Sequence, residues 1–254
     1  MKKGALILLL VGGFLLTAGC TTGGGGPSGN LSVIGSNITL MSGGKAYPAY
    51  VAAPVTTGKY PGVVMIHSFN GLEPGYRTLA NQLSGEGYVV IAPEWQTYGP
   101  RAGDDEVTGV VRSAAAFLGS RQDVDASRLG LTGFCAGGRF TMLLLPQMKE
   151  FKSGVPFYGF PYSTGFANNT TPASHVGELT QPMLIIHGTR DQASNITDIY
   201  RYVGELDAAN KYFEMKVYQG EGHSFMIANG SLSTSVAAQN AYHEMADFFD
   251  RTLR

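Results

Sequence analysis

The chain has 254 residues, of which 44% are hydrophobic, 15% charged and 11% aromatic, a composition typical of a globular protein rather than a disordered one. Its formal net charge of -1 provides no basic surface, so nucleic acid is not an expected partner. The length suits one α/β domain or two small ones, and a core of this size can fold without disulfides.

The N-terminus is predicted to be an export segment. A short basic start, MKK, precedes an apolar run of about 15 residues, which fits a signal peptide and is short for a membrane span. LTAGC, which ends at Cys20, resembles the lipobox of a prokaryotic lipoprotein, although Thr17 stands where such motifs usually have leucine. We therefore expect a signal peptide over residues 1–19, lipid attachment at Cys20 and a flexible tether over residues 20–30. Plain secretion and an uncleaved anchor are the alternatives; in each case the domain lies outside the cytoplasm.

The rest of the chain alternates short apolar strands with helices. In chain order the sequence predicts two strands around SGGK, strand GVVMI, helix EPGYRTLANQLSGEGY, strand YVVIAPEW, helix DEVTGVVRSAAAFLGS, strand SRLGLTGF, helix RFTMLLLPQM, strands SGVPFYGF and PMLIIHG, helix ITDIYRYVGELDAAN, strand YFEMKVYQG and helix STSVAAQNAYHEMADFFDRTLR. This alternation predicts a single α/β domain over residues 31–254, with a mostly parallel sheet and helices on both faces. The polar stretch from Pro161 to Gln181 lacks periodicity and is predicted to be a loop beside the active site.

GFCAGG, from Gly133 to Gly138, stands where a strand turns into a helix. Glycines two residues before and two residues after Cys135 match the elbow G-x-nucleophile-x-G, which presents the nucleophile on a sharp turn. The backbone N–H of Ala136 then opens the helix, where it can bind an oxyanion. The alternative is that Cys135 is a small buried hydrophobe that only fills the core.

Such an elbow predicts an acid and then a histidine further along the chain. Asp191 follows strand PMLIIHG and His223 follows strand YFEMKVYQG, so Cys135, Asp191 and His223 occur in that order after three separate strands. Because functional groups collect at the carboxyl ends of parallel strands, we expect the three side chains to meet. The alternatives are a helix N-cap for Asp191 and a surface position for His223.

The other histidines differ in what they predict. His67, in MIHSFNG, ends the first long strand, whose following loop normally donates the second oxyanion N–H. His187, in IIHG, is predicted to be a hydrogen-bonded core residue. HEMAD at His243 lacks the second histidine of H-E-x-x-H, so it is not a zinc protease motif. The sequence predicts neither a metal nor a cofactor.

GFCAGG, HGTRDQ and GEGHSF together resemble the dienelactone hydrolase family, whose members are cysteine-dependent enzymes with the α/β-hydrolase fold. The resemblance extends from Tyr47 to the C-terminus and includes GYVVIAPEW. It implies one role for each candidate: nucleophile Cys135, base His223, orienting acid Asp191, and oxyanion N–H groups of Ser68 and Ala136.

Two departures from the family pattern bear on activation and substrate. His67 stands where dienelactone hydrolase has a glutamate that helps to activate the nucleophile, so that role is vacant or has passed to His67. Ile227 stands where the family enzyme has one of two arginines that hold a substrate carboxylate, and Arg101 is an uncertain match for the other. A neutral ester or lactone is therefore the expected substrate. The candidate pocket walls are aromatic: Trp95, Tyr98, Phe134, Phe157, Tyr158 and Phe160.

The sequence thus predicts an exported, cysteine-dependent hydrolase of carboxylic esters or lactones that forms a thioester on Cys135. Two alternatives stay open. One is a catalytically idle lipoprotein that binds a small ligand on the same fold. The other is a thiol acyltransferase or peptidase, because transfer and hydrolysis pass through the same thioester. The expected partners are a small-molecule substrate and, through the lipid, a membrane.

Overall fold

The computed structural model describes residues 31–166 and 170–254 of the chain. The predicted signal peptide, the tether and Cys20 lie outside the described residues. Within them, no helix is both long and apolar enough to cross a membrane.

Among the described residues, eight strands form one sheet, and two short strands form a separate hairpin. The ten strands are β1 (Val33–Ser42), β2 (Lys45–Pro54), β3 (Tyr60–Ile66), β4 (Val89–Pro93), β5 (Val124–Phe134), β6 (Phe151–Phe157), β7 (Met183–Gly188), β8 (Phe213–Tyr218), β9 (Ile227–Ala228) and β10 (Ser231–Leu232). The strand order in the sheet is β1-β2-β4-β3-β5-β6-β7-β8, and β3 to β8 are parallel to one another. The β1–β2 hairpin is antiparallel, and β2 pairs antiparallel with β4.

Helices cover both faces of the sheet. They are α1 (Pro74–Gly85), α2 (Asp104–Ser120), α3 (Ala136–Leu144), α4 (Ile196–Ala208) and α5 (Val236–Leu253). Successive side chains of a strand point to opposite faces, so Val63 and Met65 of β3 pack in the core with α1 and α5. Val64 and Ile66 pack in the other core with α2, α3 and α4. The predicted fold class, a single α/β domain with a mostly parallel sheet, is confirmed.

The sheet has two functionally different edges, defined by the direction of its parallel strands. The carboxyl edge is the one at which β3 to β8 end, and chain order reverses there between β3 and β5. A crevice opens at such a switch point. The described chain enters at the opposite edge, where the N–H of Leu31 donates to the carbonyl of Gly85, 2.8 Å away, shortly before β4 begins.

Two elements differ from those predicted. The polar stretch from Pro161 to Gln181 contains a 3₁₀ helix over Pro172–Glu178, begun by Thr171, whose hydroxyl accepts from the N–H of Ser174. The β9–β10 hairpin follows His223 and contacts α1, where the N–H of Gly75 donates to the carbonyl of Gly230. Strands of two residues are too short to give an alternating pattern, so the sequence offers no signal for them.

Candidate active site

Cys135 sits on a strained turn between β5 and α3. Its backbone has φ 57° and ψ -113°, a conformation that non-glycine residues rarely adopt and that clusters at functional sites. The turn is fixed on both sides, because the N–H of Cys135 donates to the carbonyl of Phe157 and its own carbonyl accepts from the N–H of Arg139. Its side chain is half-buried at the carboxyl edge.

Only glycine fits beside this turn. A Cβ on Gly133 would lie 2.1 Å from the carbonyl oxygen of Gly137. A Cβ on Gly137 would lie 2.0 Å from the carbonyl oxygen of Ile66, so α3 starts directly against the end of β3. The glycine spacing seen in the sequence is therefore required by close backbone approach.

Asp191 and His223 meet at the end of β7 and β8. Nδ1 of His223 lies 2.7 Å from Oδ2 of Asp191, whose side chain is fully buried. The other carboxylate oxygen accepts from the N–H groups of Ala193, at 2.9 Å, and Ser194, at 2.8 Å. The carboxylate is thus held from both sides, and because it can only accept, Nδ1 of His223 carries a proton.

The protonation of both groups follows from their surroundings. Burial raises the pKa of Asp191, but hydrogen bonds from His223 and Ser194 hold it below its ordinary value. Burial lowers the pKa of His223, but Asp191 and the neighbouring Cys135 outweigh burial and raise it to about 9. At neutral pH His223 is therefore an imidazolium. Its Nε2 is buried and has no aligned hydrogen-bond partner among the described residues, although Cys135 is near enough to raise the pKa of the ring.

A second histidine, His187, lies next to Asp191. Nε2 of His187 donates to the carbonyl of Ser194, 2.8 Å away, and lies 3.5 Å from Oδ2 of Asp191. Burial lowers the pKa of His187, which is therefore neutral. The hydroxyl of Ser194 donates to the carbonyl of Gly159 at 2.6 Å. His187 is a hydrogen-bonded buried residue, as predicted, and it joins the acid loop to β7, whereas Ser194 joins that loop to the residues after β6.

His67 is buried at the end of β3. Its ring is stacked on Trp95 at 5.4 Å, and Nε1 of Trp95 donates to the carbonyl of His67. Nδ1 of His67 lies 2.8 Å from the carbonyl of Ser68, so this nitrogen carries the proton. Burial lowers its pKa to about 4, against the effect of that hydrogen bond, and His67 is neutral at pH 7. Any effect on the thiol must therefore come from hydrogen bonding rather than charge.

Two backbone N–H groups near Cys135 make no aligned hydrogen bond among the described residues. The N–H of Ala136 donates to no other residue, and that of Ser68 is near the hydroxyl of Tyr76 without an aligned bond to it. Ala136 is the first residue of α3, where N–H groups have no partner inside the helix. Ser68 is buried in the loop after β3. Preorganised donors of this kind stabilise an oxyanion.

The structure also contains a buried ion pair that the sequence did not reveal. Arg139 of α3 and Asp104 of α2 make two hydrogen bonds, 2.7 and 2.9 Å, with both side chains 5% exposed. Arg139 also donates to the carbonyls of Ser163 and Thr170, so the pair anchors the loop after β6. The available signal is one arginine at the start of the apolar helix RFTMLLLPQM.

The predicted aromatic walls divide into two groups. The rings of Tyr158 and Phe160 lie 5.1 and 5.4 Å from the ring of His223. The other four do not line an open pocket: three are buried, and Tyr98 bonds to the backbone of the β1–β2 hairpin. Arg101 is exposed, with its guanidinium 5.7 Å from the ring centre of Phe166.

The chain is similar to one family of proteins over most of its length. The family model described as "Dienelactone hydrolase family" matches residues 47–253. A Methylorubrum extorquens protein named "Putative carboxymethylenebutenolidase" is 27% identical over 220 residues, covering 80% of this chain and 76% of that protein. A Bradyrhizobium protein named "Probable 2-oxo-3-(5-oxofuran-2-ylidene)propanoate lactonase" is 26% identical over 223 residues, covering 81% and 90%.

Solved structures share the fold. One from Klebsiella pneumoniae, titled "Putative Dienelactone Hydrolase", has a TM-score of 0.79 and 26% identity, and the match covers 87% of this chain and 99% of that one. A promiscuous phosphotriesterase described as dienelactone hydrolase-like, from metagenomic libraries, has a TM-score of 0.74 at 17% identity, with the same coverage. The chain therefore belongs to the dienelactone hydrolase family and is an α/β hydrolase that acts on ester or lactone bonds.

Proposed function

We propose that this hydrolase uses Cys135 as its nucleophile, His223 as the group that takes and returns its proton, and Asp191 as the acid that orients His223. The observation that supports this most directly is the 2.7 Å contact of His223 with Asp191, beside a cysteine on a left-handed turn. A histidine with a pKa of about 9 holds a proton at neutral pH, which favours a thiolate next to it.

The reaction then has two halves. The Cys135 thiolate attacks the substrate carbonyl carbon, and the electron pair of the carbonyl moves to its oxygen, which faces the N–H groups of Ser68 and Ala136. Collapse of this intermediate expels the alkoxide, which receives the proton of His223 and leaves a thioester on Cys135. Neutral His223 next takes a proton from water, and the resulting hydroxide attacks the thioester carbon. Collapse of this second intermediate breaks the C–S bond, releases the carboxylic acid and restores the Cys135 thiolate beside protonated His223.

The test compares Cys135→Ala, Cys135→Ser and wild type on short-chain and long-chain esters. Cys135→Ala should lose ester hydrolysis while keeping its fold by circular dichroism. Cys135→Ser should keep at most weak activity, because a site that stabilises a thiolate need not deprotonate an alcohol. Full activity of Cys135→Ala would refute the nucleophile, and transfer of the acyl group to an added alcohol in preference to water would favour the acyltransferase alternative.

A neutral ester or lactone is the proposed substrate class. Ile227, rather than an arginine, follows His223 by four residues, which leaves one fewer cation for a substrate carboxylate. We expect a neutral lactone to be hydrolysed with higher kcat/KM than the same lactone carrying a carboxylate. A preference for the anionic lactone that Arg101→Gln abolishes would reverse this assignment.

Export and lipid anchoring are proposed from LTAGC and the preceding apolar run. A lipid on Cys20 would attach the enzyme to a membrane without a spanning helix. Wild type expressed from its own N-terminus should fractionate with membranes, and Cys20→Ser should not. Mass spectrometry that finds an intact Met1, or an unmodified mature N-terminus, would contradict the proposal.

A further inference from the structure

Tyr76 has a buried hydroxyl that the mechanism above does not use. The residue lies in the first turn of α1 and is 0% exposed. Its hydroxyl oxygen has no hydrogen-bond partner of good geometry among the described residues. Buried polar groups are almost always satisfied, so an unpartnered hydroxyl needs an explanation, and a role at a functional site is one of the few available.

The ring of Tyr76 packs against the end of β5, the strand that leads into Cys135. The ring of Tyr76 packs 5.2 Å from the ring of Phe134, the residue before Cys135. Burial raises the pKa of Tyr76, hydrogen-bonding contact with Ser68 opposes that rise, and the charge of Cys135 adds to it. The hydroxyl is therefore near both residues, stays protonated at neutral pH and can act as a donor.

We propose that the Tyr76 hydroxyl is a third donor to the oxyanion, beside the N–H groups of Ser68 and Ala136. This inference rests on the proposed function. When Sγ of Cys135 bonds to the carbonyl carbon, the oxygen gains the electron pair and becomes the acceptor that the hydroxyl lacks in the free enzyme. Tyr76 keeps its own proton throughout, and the pair returns to the C=O bond when the alkoxide leaves.

A second tyrosine near the site is less suited to this role. The hydroxyl of Tyr158 is also unpartnered, and its backbone has φ 37°, which is strained for a bulky residue. Its ring, however, lies against His223 at 5.1 Å, and its hydroxyl is close to the backbone of Met226. The charge of Cys135 acts on both tyrosines, but Tyr158 contacts the histidine side of the site, whereas Tyr76 contacts the oxyanion loop through Ser68.

Tyr202 provides a matched control. It lies on α4, is fully buried and also has a hydroxyl without a partner, but it packs in the core on the α2–α4 side of the sheet. Tyr76→Phe and Tyr202→Phe thus make the same chemical change, the loss of one buried, unpartnered hydroxyl. An effect on general packing would appear in both variants, and an effect on the oxyanion only in the first.

The experiment measures ester hydrolysis and the alkylation of Cys135 by iodoacetamide in wild type and both variants. Tyr76→Phe should lower kcat about 10- to 1,000-fold with little change in KM, the range seen when one oxyanion donor is removed. Its alkylation rate should equal that of wild type, because alkylation forms no oxyanion. Tyr202→Phe should match wild type in both assays.

Each other outcome overturns the inference. Wild-type kcat in Tyr76→Phe would show that the hydroxyl is not an oxyanion donor, and an equal loss of alkylation would show that it acts on the thiol instead. The activity of Cys135→Ala distinguishes failure of the Tyr76 inference from failure of the proposed function. If that variant is inactive while Tyr76→Phe is fully active, only the role of Tyr76 is wrong; if it is active, both proposals fall.

Discussion

Replacing Asp191 by asparagine tests the electrostatics of the site most directly. The change keeps the size of the side chain and an oxygen for the N–H groups of Ala193 and Ser194. It removes the negative charge that lies 2.7 Å from Nδ1 of His223. The folded enzyme holds the pKa of His223 at about 9, against 6.5 for an ordinary histidine. Since one pKa unit is about 1.4 kcal/mol, the site favours the imidazolium by about 3 kcal/mol.

Burial is the largest influence on His223 and lowers its pKa; without the Asp191 carboxylate, only the neighbouring Cys135 opposes it. We therefore expect the pKa of His223 in Asp191→Asn to fall well below that of wild type, so that a larger fraction of the rings is neutral at pH 7. The asparagine can also donate to Nδ1 and impose the wrong tautomer. In triads of this kind such a change lowers kcat on the order of 10⁴-fold.

The same shift predicts a pH dependence of stability. Because the folded pKa of His223 is raised, its contribution to the free energy of unfolding is fully present below pH 6.5. That contribution is lost as the pH rises through about 9. Wild type should therefore lose about 3 kcal/mol from this group across that interval, whereas Asp191→Asn should lose less, because only Cys135 then raises the pKa of His223.

Nitrogen-15 NMR titration of the His223 ring, urea unfolding between pH 6 and 10 and ester hydrolysis would be measured on the same samples. Asp125→Asn is a suitable control, because Asp125 is a surface carboxylate bonded to Ser127 and Arg128. It should leave both the titration and the turnover of wild type unchanged. A His223 that still titrates near pH 9 in Asp191→Asn would refute the reasoning.

Three further predictions concern residues around the site. Gly137→Ala should cost several kcal/mol or prevent folding, since its Cβ would lie 2.0 Å from the carbonyl oxygen of Ile66; wild-type urea stability would contradict this. Arg139→Leu should lower the free energy of unfolding by about 3–5 kcal/mol, because it leaves the buried Asp104 carboxylate unpaired. A higher Tm in this variant would contradict the prediction and show that the ion pair is unfavourable. His67→Ala should slow thiol alkylation and ester turnover together without changing the pH profile between pH 5 and 8, since a group with a pKa of about 4 is already neutral there. Superimposable alkylation rates would make His67 purely structural.

The sequence carried enough information for the fold class and for the order of the candidate residues, because both are local signals. Cys135 is marked by its glycine neighbours, and Asp191 and His223 each follow an apolar strand. A parallel sheet brings strand ends together without any further information.

Other features depend on partners that are distant in the chain, and they could not be foreseen. Arg139 and Asp104 are 35 residues apart. The residues that flank each of them in the sequence do not indicate that the two side chains form an ion pair. In the sequence, nothing distinguishes Tyr76 from any other aromatic residue on the apolar face of a helix, so its unpartnered hydroxyl could not be predicted. Trp95, a candidate substrate contact, packs beneath His67 and is 1% exposed, because tertiary packing rather than composition decides which aromatics are accessible.

The described chain begins at Leu31, at the edge of the sheet opposite the carboxyl edge. The point of attachment to the N-terminal segment and the nucleophile therefore lie at opposite edges of the sheet. When the edge that carries Leu31 faces the bilayer, the nucleophile lies on the side away from the lipid. Substrates of the anchored enzyme would then arrive from the surrounding water, and an ester buried among acyl chains would be out of reach. Lipidated enzyme on liposomes should therefore hydrolyse a water-soluble ester at the rate of the detached domain and leave the ester bonds of the vesicle phospholipids intact.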